Sequence, residues 1–274
     1  MSLRNSKRAP EPPAIAHSRG TSYLRFFAPW LVPLAILAGW EAAADLGLIA
    51  QRVLPAPSAV GVAFWQTLKG GSLLQAVAIS SARAFKGLLI GGTIGFGLGV
   101  ANGLWRSAEL LLDSTLQMLR NVPHLAIIPM VILWFGIGEE AKIFLVAIGV
   151  LFPVYLNTYH GVRAIDPALI EMARVYDLGP WPLIWRVVLP GALPSVFVGL
   201  RYGLGIMWLT LIVAETISAQ SGLGYMAMQA REFMLVDVVV LAILIYALLG
   251  KVADSATRLL ERTFLAWNPA YRAV

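Results

Sequence analysis

The sequence predicts an all-α membrane protein with about six transmembrane helices, and three observations support this fold class. Apolar residues make up 58% of the 274 residues, and the mean hydropathy is +0.74. Charged residues make up only 13%, about half of the ~25% typical of soluble domains. Apolar runs that reach the ~20 residues needed to cross a bilayer alternate with shorter polar segments. Most of the surface is therefore expected to face lipid or other helices.

Six apolar runs define the predicted spans: 28–49, 73–104, 108–136, 142–160, 195–216 and 236–256. Together they form one transmembrane domain over residues 28–260. The polar, basic residues 1–27 are predicted to be a disordered cytoplasmic tail, and residues 261–274 a cytoplasmic C-terminal tail. A short surface helix is predicted over residues 60–68. A basic start, an apolar stretch and small residues at 42–44 also fit a cleaved signal peptide, so that alternative stays open for the first span.

The positive charges predict the orientation of these spans. The net charge is +6. Thirteen Lys and Arg residues, counting Lys251 near the end of the last span, lie in the tails and the loops at 105–109 and 163–193. Four lie in the opposite loops, counting Lys142 at the start of a span, and four lie deeper inside spans, which accounts for all 21. The positive-inside bias then places both termini and the long loop at 163–194 in the cytoplasm. Nucleic-acid binding is not expected, because no compact basic patch with interleaved aromatic residues occurs.

A row of glycines in the second span predicts close helix packing. Gly87, Gly91, Gly95, Gly99 and Gly103 are spaced by four residues and so share one helix face. In lipid, small residues allow two helix backbones to approach closely. The row does not tell whether the partner helix belongs to the same chain or to a second copy.

The polar loop at 163–194 carries the signals of two short helices. Asp166 is suited to cap a helix, and Pro167 suits the first helical position. Gly179 and the proline after it are predicted to end this helix. A second helix is predicted over residues 181–189, with Pro190 as its stop.

This loop resembles the EAA loop of ABC-importer permeases, in which Glu-Ala-Ala, three residues, Gly, nine residues and Ile-x-Leu-Pro follow one another. Glu171, Ala173, Leu189 and Pro190 match the pattern at the same spacing, while Asp177 stands where the family has Gly. Asp adopts positive φ less readily than Gly, so the turn is expected at Asp177 or shifted towards Gly179. In the family, this loop docks into the ATPase subunit. The resemblance therefore implies the following coupling residues: Glu171, Ala173, Arg174, Tyr176, Asp177, Gly179, Leu189 and Pro190.

Further segments resemble the branch of this family that imports nitrate, taurine and aliphatic sulfonates, with the sulfonate permeases as the nearest group. They are RNVPHL at 120–125, LWFGIGE at 133–139, LTLIVAE at 209–215, SGLGY at 221–225 and WNPAY at 267–271. The resemblance implies a MetI-like permease fold in a bacterial inner membrane, working as a homodimer among membrane lipids. It also implies two partners, ABC ATPase subunits that bind ATP and Mg, and a soluble substrate-binding protein. No cofactor is expected in this chain itself.

No enzymatic or metal-binding pattern occurs in the sequence. The Gly-x-x-x-x-Gly-Lys-Ser/Thr phosphate loop is missing, as are HExxH and GxSxG, and there are no cysteines. The chain is therefore predicted not to be an enzyme, with no catalytic residue and no metal site, and any ATP must be hydrolysed by another subunit. A secondary transporter or channel that acts alone on a small anion remains the alternative function.

The third span is interrupted and predicts part of a translocation pathway. Asn121 is expected to cap, and Pro123 to start, a half-helix whose N-terminus points partial positive charge into the break. Arg120 adds a full charge, and His124 follows directly. Alternatively, Arg120 reaches the interface or pairs with Asp113, and the proline is only a kink.

The fifth span adds three polar or aromatic candidates for the pathway: Trp208, Thr210 and Glu215. Ionisable residues inside spans are functional candidates by default. The alternatives are that Trp208 belongs to the core and that Glu215 pairs with Arg231. Of the other cations in spans, Arg83 is expected near the outer interface and Arg201 is expected to extend towards the cytoplasmic one.

Overall fold

The structure, a computed structural model, describes residues 22–268, and the predicted tail segments 1–21 and 269–274 lie outside it. The described residues form eleven α-helices and one π-helical turn. They are α1 (Ser22–Asp45), α2 (Pro57–Lys69), α3 (Ser72–Leu104), α4 (Arg106–Arg120), α5 (Ile128–Phe135), α6 (Glu139–Arg163), α7 (Pro167–Val175), α8 (Pro180–Leu183), the π turn (Ile184–Val188), α9 (Leu189–Ser218), α10 (Leu223–Glu232) and α11 (Val236–Phe264).

The helices match the predicted six-span architecture. Four continuous helices are long and apolar enough to cross a membrane: α3, α6, the α8–α9 rod and α11. The 24-residue α1 and the broken pair α4–α5 occupy the first and third predicted spans. The predicted surface helix at 60–68 is α2. Several boundaries differ from the prediction. Helix α1 begins at Ser22, within the segment predicted to be a disordered tail, and ends at Asp45, while α6, α9 and α11 extend beyond the predicted spans.

Helix α6 lies between α3 and α9, and the glycine row lies on its α3 side. Each of the five glycines approaches α6 so closely that no side chain fits. A Cβ atom at Gly95 would lie 2.5 Å from the Leu151 carbonyl oxygen, and one at Gly99 would lie 2.6 Å from Thr158 Cβ. The row therefore packs two helices of the same chain, which the sequence left open.

The opposite side of α6 packs against α9 in a similar way. A Cβ atom at Gly199 on α9 would lie 2.7 Å from Asn157 Cβ, and one at Gly161 on α6 would lie 2.7 Å from Ser195 Cβ. Between the three helices, the core contains Val150, Met207 and Leu211, among others. Close backbone approach on both sides of α6 holds the bundle together where lipid supplies no hydrophobic driving force.

Replacing one glycine of the row tests this packing. Gly95→Ala forces α3 away from α6, and overpacking of this kind costs about 1–3 kcal/mol. We expect a lower melting temperature in detergent and a smaller monodisperse fraction. Gly97→Ala is the matched control, because Gly97 lies two residues away on the exposed face of α3 with open space around it. Equal stability of the two variants would contradict the packing role.

Candidate coupling loop and transmembrane site

Helix α7 forms as predicted and is presented to solvent. The Asp166 carboxylate accepts a hydrogen bond from the backbone N–H of Ala168 at 2.9 Å, and Pro167 occupies the first turn. Ala173 is the one buried residue of α7, whereas Glu171 and Arg174 are exposed. A single small residue therefore seats the helix on the bundle, and its remaining surface is free for a partner.

The turn after α7 lies at Asp177 and not at Gly179. Asp177 has φ +59°, while Gly179 has φ −63° in the extended region. The Leu178 N–H donates to the Ala173 carbonyl at 3.0 Å, and the Asp177 N–H donates to the Arg174 carbonyl at 2.9 Å. These two bonds form a Schellman motif. Asp177 thus takes the left-handed position that the family pattern gives to Gly.

The second loop helix differs from the prediction, because Pro190 does not stop it. Helix α8, the π turn and α9 follow one another without interruption. Pro190 has no N–H to donate to the carbonyl four residues before it. The turn ahead of it widens, and the Leu189 N–H donates to the Ile184 carbonyl instead. As a result, the coupling loop continues directly into the long transmembrane helix α9.

The break in the third span also differs from the predicted one. Asn121 donates from Nδ2 to the Gln117 carbonyl at 3.0 Å and so closes the end of α4. Pro123 starts a turn, in which its carbonyl accepts from the Ala126 N–H at 2.8 Å. Helix α5 begins at Ile128 with a proline in its first turn and no side-chain cap. The break therefore covers residues 121–127, longer than the predicted cap and kink.

Two of the predicted pathway residues meet at this break. His124 Nε2 lies 3.0 Å from Thr210 Oγ1 on α9. Thr210 is fully buried, and Gly149 of α6 leaves room for it, since a Cβ atom there would lie 3.0 Å from Thr210 Oγ1. The contact fixes the break to the α6–α9 core.

The other predicted pathway residues are separated from this contact. Arg120, Asn121 and Pro123 are exposed on the surface of the single chain. Within residues 22–268, no ion pair of Arg120 is found; the Asp113 carboxylate accepts from Tyr155 and Gln117 instead. Trp208 lies in the core, with its ring edge-on to Tyr246 at 6.2 Å between centroids.

Glu215 belongs to a buried polar cluster that sequence reasoning did not find. Arg83, predicted near an interface, is only 2% exposed, and Glu215 is 1% exposed. Arg83 Nη1 donates to Glu215 at 2.7 Å, so Glu215 does not pair with Arg231 as considered above. We call this group the Arg83 cluster; its members are Ser80, Arg83, Glu139, Lys142, Glu215, Ser221 and Tyr246.

All five N–H groups of the Arg83 guanidinium have partners in the cluster. Nε donates to Glu139 at 2.6 Å, and Nη2 donates to the other oxygen of the same carboxylate. Nη1 also donates to the Ser221 carbonyl at 2.6 Å, and Nη2 to its hydroxyl at 2.7 Å. The guanidinium forms a bidentate ion pair, and its remaining N–H groups are also hydrogen-bonded. This is the geometry that offsets the free-energy cost of removing a charged arginine from water.

The buried carboxylate of Glu215 is also surrounded by hydrogen-bond donors. Its carboxylate accepts from Tyr246 Oη at 2.7 Å and from the Gly224 N–H at 2.9 Å, and Ser80 Oγ lies 2.8 Å away. Lys142 is buried beside the cluster, with Nζ 3.8 Å from Glu139. Two cations and two carboxylates therefore balance. The cluster joins α3, α6, α9, α10 and α11 at the end of the bundle remote from α7.

A separate ionic contact outside the Arg83 cluster connects the α8–α9 rod to the last helix, α11. Arg201 on α9 pairs with Glu261 and lies 3.6 Å from Asp254, both on α11. It is therefore held by carboxylates of α11 and does not simply extend to the interface. Among residues 22–268, no group of three or more His, Asp or Glu side chains is placed to hold a metal ion.

Comparison with known proteins gives the family. Residues 91–265 match the family described as binding-protein-dependent transport system inner membrane component. The chain belongs to this family. It is thus a multi-pass inner-membrane transport component and not an enzyme, and the family implies ATPase and substrate-binding-protein partners.

Named relatives match most of the chain. It is 61% identical, over 89% of its length and 93% of the relative, to the Escherichia coli (strain K12) protein named aliphatic sulfonates transport permease SsuC. It is 44% identical to the Bacillus subtilis (strain 168) protein of the same name, over 88% of this chain and 87% of that one. It is 35% identical to the taurine transport system permease TauC of E. coli, over 85% and 86%.

Solved structures share the fold at low sequence identity. A crystal structure of an amino acid ABC transporter matches with a TM-score of 0.60 at 18% identity, over 73% of this chain and 97% of that one. The inward-facing MetNI methionine ABC transporter matches with a TM-score of 0.51 at 20% identity, over 71% and 96%. Both support the predicted MetI-like permease fold.

Removing Arg83 tests the structural role of the cluster. Arg83→Leu leaves Glu215 buried without its charge partner, which costs about 3–5 kcal/mol for a buried pair. We expect severe loss of folded protein and a large drop in melting temperature in detergent. Arg231→Leu is the control, because Arg231 is exposed on α10. Similar melting temperatures for both variants would show that the cluster does not hold the helices together.

Proposed function

We propose that the chain forms the translocation pathway of an ATP-driven importer for small organic anions, with aliphatic sulfonates as the substrate class. The observation that carries this proposal is the coupling loop: an exposed α7 with the family's spacing, joined without a break to a transmembrane helix. The identities of 61% and 44% to two proteins named sulfonate permeases, against 35% to a taurine permease, support the substrate class.

In this proposal the loop receives the motion of the ATPase subunits, which bind ATP and Mg. Glu171, Arg174 and Tyr176 project from the loop and are exposed. Asp177 sets the direction in which the chain leaves α7, and the continuous α8–α9 rod carries displacement into the membrane. No cofactor is required in this chain itself.

The pathway is proposed to lie between two copies of the chain. Around α6 the single chain is closely packed, with no room for a Cβ at the helix contacts. Arg120, Asn121 and Pro123 lie on the outside of that chain. They can line a path only where a second copy faces them, which supports a homodimer. An exposed cation beside a polar break attracts an anion without holding it tightly.

Alternating access follows from the connection of the loop to the break. When ATP closes the ATPases, the two coupling loops approach each other, and each α9 moves with its loop. Thr210 on α9 contacts His124 in the break, so displacement of α9 changes the pathway. Both termini and the loop lie in the cytoplasm in this arrangement, as the charge distribution favours.

Reversing the charge of Glu171 tests the coupling assignment. We expect that Glu171→Lys abolishes copurification of the ATPase or ATP-dependent uptake in proteoliposomes, since the lysine would enter the docking contact. Glu140→Lys is the control. Glu140 is exposed at the start of α6, the end remote from the coupling loop, and the substitution makes the same charge change.

Two results would contradict the assignment. One is normal ATP-dependent uptake by the Glu171→Lys complex. The other is uptake by the purified chain alone, in liposomes with a substrate gradient and no ATPase, which would favour a stand-alone transporter or channel.

Deleting the gene tests the substrate class. The strain is expected to lose growth on alkanesulfonates as the sulfur source and to grow normally on sulfate, and on nitrate as the nitrogen source, because the lost pathway serves organic sulfonates. Growth yield on each source is the measurement. Failure on nitrate with normal growth on alkanesulfonates would contradict the sulfonate assignment and leave an importer of another anion.

A further inference from the structure

A cavity opens between the start of α3 and α10, at the end of the bundle remote from the coupling loop. Its volume is about 240 Å³. Its lining combines hydroxyl and amide side chains with a few apolar ones: Ser72, Gln75, Ala76, Ile79, Gln220, Ser221, Gly222, Tyr225, Met226 and Gln229. We call this cavity the α3–α10 pocket.

The chemistry of the pocket suits a neutral polar ligand group and not an anion. None of the described residues that line it carries a charge. Arg83 lies behind Ser221, but its five N–H groups are all taken up within the Arg83 cluster. An incoming sulfonate would meet no available counter-charge, whereas peptide groups and uncharged side chains can bond to the glutamine amides and hydroxyls.

The size of the pocket fits a single projecting side chain or loop tip of a protein. At about 240 Å³ it is smaller than most sites for whole small molecules, which span about 300–1,000 Å³. Cavities that take one anchoring side chain at the centre of a protein interface are a common source of binding energy. The pocket is also open to the surface, so a segment can enter from outside.

One wall of the pocket is held rigidly by the Arg83 cluster. Ser221 receives two hydrogen bonds from Arg83, and the N–H of Leu223 donates to Ser80 Oγ at 2.8 Å. Gly222 has φ +103°, and a Cβ atom there would lie 2.5 Å from Glu215. A wall fixed in this way is preorganised, which reduces the entropy lost when a partner binds. Because Glu215 is on α9, the wall is also connected to the coupling loop.

We propose that the α3–α10 pocket is a docking site for a projecting loop of the soluble substrate-binding protein. The inference rests on the proposed function. The family depends on such a protein, and the pocket lies at the end of the bundle away from the ATPase-docking loop. Docking would displace the pocket wall at Ser221 and Gly222, which contacts Arg83 and Glu215. Because Glu215 is on α9, that displacement would reach the coupling loop when a loaded binding protein is bound.

Cysteine labelling tests the docking site, since the chain has no cysteine of its own. Gln75→Cys is made in the full complex with its ATPase in proteoliposomes and labelled with a membrane-impermeant maleimide. Alkanesulfonate-loaded binding protein is expected to slow labelling about tenfold, the effect of an occupancy favoured by ~1.4 kcal/mol. The control is Gln66→Cys on α2, an exposed glutamine outside the pocket, whose labelling is expected to stay unchanged.

Filling the pocket gives a second, independent measurement. Gln75→Trp is expected to raise the binding-protein concentration for half-maximal ATPase stimulation by about tenfold or more, as loss of one interface hot spot does. Gln66→Trp is the matched control and is expected to keep the wild-type value.

Three results would overturn the docking proposal. Equal protection of both cysteines would mean that the binding protein covers the surface without using the pocket. Lack of protection at Gln75→Cys would place docking elsewhere. Protection by alkanesulfonate alone, without binding protein, would make the pocket a small-anion site. ATP-dependent uptake by the wild-type complex, measured in the same vesicles, reports separately on the proposed function.

Discussion

The ion pair between Arg83 and Glu215 is the contact on which the arrangement of the helices depends. In lipid, apolar side chains gain little by packing against each other, so the helices need specific contacts to select one arrangement. Arg83 and Glu215 are both buried, and either charge alone would be costly there. With Lys142 and Glu139 the charges balance, and every donor of Arg83 is used. The pair is therefore satisfied only when five helices meet at one end of the bundle.

The glycine contacts along α6 are the second feature that holds the helices in place, beside the Arg83 cluster. The cluster fixes the helices at the end remote from α7, while Gly95 and Gly199 bring α3 and α9 against the α6 backbone along its length. Carbonyl oxygens and Cβ atoms of α6 form the closest of these contacts, so the fit tolerates little change in side-chain volume. Together the two features pack α3, α6 and α9 into one closely fitted three-helix unit.

The sequence predicted the features that depend on residues close together in the chain. It did not predict which residues that are distant in the chain would form ion pairs. The cap at Asp166 and the glycine row depend on neighbouring residues or on helical spacing, and both formed where the sequence placed them. The turn lies at Asp177, one of the two positions that the sequence left open. Arg83 and Glu215 are 132 residues apart. Their charges inside apolar spans marked both as unusual, but nothing in the sequence tells which carboxylate an arginine will meet. Pro190 was misread for a related reason, since widening of one turn lets a helix pass through a proline.

Helix α9 is where the coupling loop, the break in the third span and the Arg83 cluster come together. It begins at the loop, contacts His124 through Thr210 and carries Glu215 five residues later. One continuous helix carries both contacts, so in the proposed mechanism a displacement of the loop that reaches the break also strains the cluster. The ion pair that assembles the bundle would then oppose opening of the pathway. In the proposed mechanism, force therefore acts at both ends of α9, from the ATPase at the loop and from the docked binding protein at α10.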